Sequence, residues 1–106
     1  MDHLHYLTVD LSDDTDGVGT IEASASTAPE QGDAVDAEIQ QVLGWASRRF
    51  PGDHGPLDEG HAWDHDLQVT QERTGDRLWR TVTLTISASP AFMEAFAAHF
   101  AEALDG

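Results

Sequence analysis

The pattern of hydrophobic residues predicts an α+β fold. It is a two-layer sandwich of one four-stranded antiparallel sheet with two helices on one face, in the order ββα-ββα. Three observations carry this. Short stretches alternate apolar and polar residues, longer stretches repeat apolar residues at helical spacing, and turn-forming residues fall between them. Each alternating stretch has one apolar face, which suits a sheet covered on one side only.

Residues 4–11 alternate, with Leu7, Val9 and Leu11 on one face and Tyr6, Thr8 and Asp10 on the other. The run from Ser12 to Gly17 is turn chemistry. Residues 18–27 alternate again, with Ile21, Ala23 and Ala25 inward, so the two stretches predict a hairpin. Thr27-Ala28-Pro29-Glu30 has the form of a capping box with Pro near the first helical position, and Asp33 is an alternative cap. Val35, Ile39, Val42, Leu43, Ala46 and Phe50 then recur at helical spacing. Asp33, Asp36 and Glu38 stand early and Arg48 and Arg49 late, as the helix dipole favours. Pro51-Gly52 ends this helix.

A loop rich in His, Gly and Pro follows over 51–62. Residues 63–72 alternate, with Trp63, Leu67 and Val69 on one side. Thr74-Gly75-Asp76 is a turn. Residues 78–88 give the clearest strand, with Val82, Leu84, Ile86 and Ala88 inward and Trp79, Thr81, Thr83, Thr85 and Ser87 outward. Ser89-Pro90 opens a second helix with the stripe Phe92, Phe96, Phe100, Ala103 and Leu104. The 106 residues suit a single α+β domain, with halves at about 4–50 and 63–104. The junctions Ala23-Ser24-Ala25-Ser26 and Ile86-Ser87-Ala88-Ser89 resemble each other, a weak sign of internal duplication.

Composition narrows the partners. Twenty acidic residues stand against five basic ones, all Arg, for a formal net charge of −15. Such a chain repels nucleic acid and anionic membrane and attracts a basic protein or a cation. The absence of Lys and Asn is also what a GC-rich, prokaryotic genome or salt adaptation would write. The first residues lack the basic and apolar regions of a signal peptide, and no stretch is long enough to span a membrane, so a cytoplasmic location is expected.

Chemistry-bearing constellations are few. Asp14, Asp16 and Gly17 resemble part of a calcium loop, but Ala23 stands where the bidentate Glu belongs. His54, His61 and His65 lie close in sequence to Asp58, Glu59, Asp64 and Asp66. Imidazole with carboxylate suits Zn²⁺, and His54, His61, His65 and Asp58 are the candidate ligands. On a strand, His61, Trp63 and His65 share a side, so a shared ion requires a bend. There is no Cys, no Gly-x-Ser-x-Gly elbow, and no Lys for a Schiff base or a phosphate loop. Trp79, outward among threonines, reads as an aromatic anchor for a partner or a dimer, as packing under the 51–62 loop, or as a residue whose face a bulge has changed.

The favoured function is a small, acidic, non-enzymatic protein-binding or regulatory module, with a homodimer as a further arrangement. One alternative is an acidic decoy, a DNA mimic or an immunity protein, that neutralises a basic protein through Asp13, Asp14, Asp16, Asp64, Asp66 and Asp76. Another is a divalent-metal protein or enzyme built on the His54–Asp66 segment.

Overall fold

The computed structural model describes residue 4, residues 6–13 and residues 17–100. Strands β1 (Thr8–Asp13) and β2 (Gly19–Thr27) precede helix α1 (Gly32–Arg49). Strands β3 (Trp63–Thr74) and β4 (Arg77–Ala88) precede helix α2 (Pro90–His99). The four strands form one antiparallel sheet in the order β1-β2-β4-β3. That order is symmetric about the seam between β2 and β4, where the two ββα halves meet. Asp14 and Asp16 of the first hairpin turn, and Ala103 and Leu104 of the expected helical stripe, lie outside the described residues.

Alternation decides which face is buried. On β4, Val82, Leu84, Ile86 and Ala88 are buried, as are Ile21, Ala23 and Ala25 opposite them on β2. The helices cover this face with Val35, Ile39, Val42, Trp45 and Ala46 from α1 and with Phe92, Phe96 and Phe100 from α2 and its end. Trp45 meets Phe92, Phe96 and Phe100 edge-on at centroid separations of 5.4, 5.7 and 5.5 Å. Edge-to-face contacts add to the stabilisation from apolar area alone. Trp63 stacks on Phe92 at 5.6 Å and ties the start of β3 to α2.

The ends of the elements follow local chemistry, with one correction. Ser89 caps α2, its hydroxyl accepting from the Phe92 N–H at 3.3 Å, and Pro90 takes the first helical position. Gly75, with φ of 62°, supplies the left-handed position of the two-residue turn between β3 and β4. The capping box expected at Thr27 does not form. Thr27 is the last residue of β2, opposite Arg80, and its buried Oγ1 has no hydrogen-bond partner. Strand pairing holds Thr27 in line with the sheet, so its side chain cannot turn back to the helix. A single 3-10 turn, Pro29–Gln31, leads into α1 instead, and no side chain caps it. Asp33, the other cap considered, lies inside the first turn of α1.

Glu38, one of the acids that stand early in α1, is a buried residue, 6% exposed. Its carboxylate accepts from the Tyr6 N–H at 3.1 Å to each oxygen and from the Leu7 N–H at 3.2 Å. These donors precede β1, so one side chain of α1 fixes the entry to the sheet. Hydrogen bonds to a charged acceptor contribute more than neutral ones, and removing the acceptor strands buried donors. Glu38→Ala is therefore expected to cost about 2–3 kcal/mol, and Glu38→Gln, which keeps one acceptor oxygen, about 1–2 kcal/mol. Urea unfolding of the two variants beside the parent chain measures both.

Candidate functional site

β3 is an edge strand, and its exposure is uneven. Its core-side row is Trp63, His65, Leu67 and Val69, which stand opposite Ala88, Ile86, Leu84 and Val82 of β4. The β4 residues are at 1% exposure or less, whereas Leu67 is 42% exposed and Val69 47%. The cause is helix coverage. α1 lies over β4, and α2 lies over β2 and β4. Among the described residues only Trp63 of β3 joins the core. Leu67 and Val69 thus face the same side as the core but project past its rim. The outer backbone edge of β3 pairs, among the described residues, only at Trp63, where His54 forms a parallel bridge. The density of charge along 64–73 was the sequence signal for such an edge, since edge strands carry charge that discourages indiscriminate pairing.

Among the described residues no helix covers the opposite sheet face, which is polar. The register places Thr8, Asp10, Thr20, Glu22, Ser24, Ser26, Thr81, Thr83, Thr85 and Ser87 on it, with Asp64, Asp66 and Glu72 of β3. Trp79 also lies on this face, half-buried, and borders a groove of about 510 Å³ with Ala28, Pro29, Glu30, Arg77 and Leu78. It does not pack under the 51–62 loop. That loop joins the far end of β3, where Trp63 pairs with Ala88, about 30 Å along the strand from Trp79. The expected acidic set also separates. Asp13, Asp64 and Asp66 stand near the start of β3, and Asp76 sits in the turn at its other end. Further acids occupy α1 and the loop, so carboxylates are spread over several surfaces. Arg80 reaches Asp36 of α1 at 2.9 Å, an ion pair with one exposed partner and so a contribution of about 1 kcal/mol or less.

The His-rich segment is brought together in part. The Gly55 N–H donates to the Trp63 carbonyl, and the Ala62 and Trp63 N–H groups donate to the Asp53 carbonyl. This bridge sets His54 beside the start of β3. His54 Nε2 lies 2.8 Å from His65 Nδ1 and 3.3 Å from Asp64 Oδ1. Sequence spacing alone did not single out Asp64 as a ligand, because its proximity depends on the bridge. His61 stands apart from this group: its Nδ1 hydrogen-bonds the Pro56 carbonyl at 3.1 Å. Asp58 is exposed in a short 3-10 turn, Leu57–Glu59.

Comparison with known protein families, curated proteins and solved structures finds no match to this chain. Among the described residues no helix is long and apolar enough to cross a membrane.

Gly55 is required by its neighbour. Its φ is 155°, and a Cβ there would stand 2.9 Å from the His61 ring. Gly55→Ala is expected to destabilise the fold by about 1–2 kcal/mol. Removing the ring with His61→Ala should recover part of that loss, and thermal unfolding across the double-mutant cycle measures the coupling.

Proposed function

We propose that this protein is a non-enzymatic binding module that takes up an extended segment of a basic protein partner along the outer edge of β3. The observation that carries the reading is the pairing-competent edge beside Leu67 and Val69, two apolar side chains left uncovered on the core side. An incoming strand would continue the backbone ladder and place alternate side chains on the two faces. Its apolar residues would cover Leu67 and Val69. Its Lys or Arg residues would meet Asp66 and Glu72 on the other face. Each half-exposed apolar side chain so covered contributes about 1 kcal/mol. The net charge of −15 adds attraction at a distance and speeds encounter. A second copy of the chain fits the edge less well, since it brings the same acids and the same net charge.

A peptide of alternating Lys and Val, titrated into ¹⁵N-labelled protein, tests the proposal. Chemical-shift changes are expected along residues 66–73 of β3, with affinity that falls as salt rises. An equally charged peptide of alternating Lys and Ser should bind more weakly. Leu67→Glu with Val69→Glu should abolish binding while circular dichroism stays that of the parent. Pure charge attraction predicts the opposite, because those substitutions add acid. Tighter binding by that variant, shifts confined to the Trp79 groove, or self-association through β3 would each overturn the reading.

A further inference from the structure

Three donor atoms from two chain segments converge at the outer edge where β3 begins. His54, Asp64 and His65 each offer one ligand atom, and these atoms all lie within 4.8 Å of one another. We propose that these three residues form a binding site for a first-row divalent cation, with Zn²⁺ as the preferred ion. The proposal does not rest on strand docking at Leu67 and Val69.

The geometry is close to what the ion needs. Ligand atoms about 2.0–2.1 Å from a tetrahedral Zn²⁺ lie about 3.3 Å from each other. His54 Nε2 and Asp64 Oδ1 are 3.3 Å apart. The two imidazole nitrogens, at 2.8 Å, share a hydrogen bond and must open by about half an ångström to admit the ion. That adjustment is within the reach of side-chain rotation at a surface where the His54 and Asp64 side chains are 45% and 42% exposed. Water would complete the coordination.

The donors are also held in place before an ion arrives. His54 is tied by its backbone bridge to Trp63, and its ring packs 4.4 Å from the Trp63 ring. Trp63 itself is 2% exposed and belongs to the core. His65 is paired through β3 with Ile86. The His65 N–H donates to Asp64 Oδ1 at 2.9 Å, which turns that carboxylate along the strand edge toward the imidazoles. Orientation of ligands by such outer contacts is what gives a site affinity. Two imidazoles with one carboxylate select Zn²⁺ over Mg²⁺, which prefers oxygen alone. The overall negative charge raises the local concentration of any cation.

Calorimetric titration with ZnCl₂, with MgCl₂ in parallel, tests the site. The parent chain is expected to take up one Zn²⁺ with a dissociation constant on the order of micromolar. Outer contacts alone are worth tenfold or more, so His54→Ala and His65→Ala should each weaken uptake by about tenfold or more. His61→Ala should leave it unchanged. Imidazole ¹⁵N spectra of the parent chain give a readout that needs no variant: Zn²⁺ should shift His54 Nε2 and His65 Nδ1 and spare His61. Absence of Zn²⁺ uptake, equal affinity for Mg²⁺, wild-type affinity in His54→Ala or His65→Ala, or an equal loss in His61→Ala would overturn the proposal.

Discussion

Burial of the inner row of β4 organises every other part of this molecule. Val82, Leu84, Ile86 and Ala88 are all at 1% exposure or less, and they lie between two paired strands and beneath two helices. β2 and β3 meet only through β4. The aromatic cluster of Trp45, Phe92, Phe96 and Phe100 closes over that row and joins α1 to α2. The row supplies the template on which both hairpins are placed, and both helices pack over it.

The same arrangement explains why the functional features lie at the periphery. α1 lies over β4 and α2 over β2 and β4, so the helices leave β3 uncovered beyond Trp63. Leu67 and Val69 therefore stay exposed beside buried partners, and the backbone edge of β3 stays available. The loop before β3 closes only the first step of that edge, through the His54 bridge, and thereby gathers two imidazoles and a carboxylate. Docking edge and donor cluster both follow from the incomplete cover of one strand.

Much of this was legible in the sequence. The alternation of Ile21, Ala23 and Ala25, and of Val82, Leu84, Ile86 and Ala88, identified the buried face because a strand has a period of two. Ser89-Pro90 announced α2, and Phe92, Phe96 and Phe100 its stripe. What was not legible depended on contacts between distant segments. Periodicity assigned Leu67 and Val69 to the core side but could not say how far the helices extend. Glu38 sat among acids suited to a helix start, yet its partners are the backbone of Tyr6 and Leu7. Thr27 matched a capping motif, but pairing with Arg80 kept it in the strand. His54 and His65 gave no local sign of meeting, because a backbone bridge between loop and strand brings them together.

The central claim is that β3 offers an unpaired edge beside uncovered apolar side chains. Amide hydrogen exchange of the isolated protein tests it most directly. In an antiparallel pair, alternate N–H groups point to the partner and to the outside. Along residues 66–74 the account predicts alternation: the N–H groups bonded to β4 exchange slowly, and those facing outward exchange about as fast as open chain. Slow exchange of both sets would mean that the edge is already covered, and would contradict it.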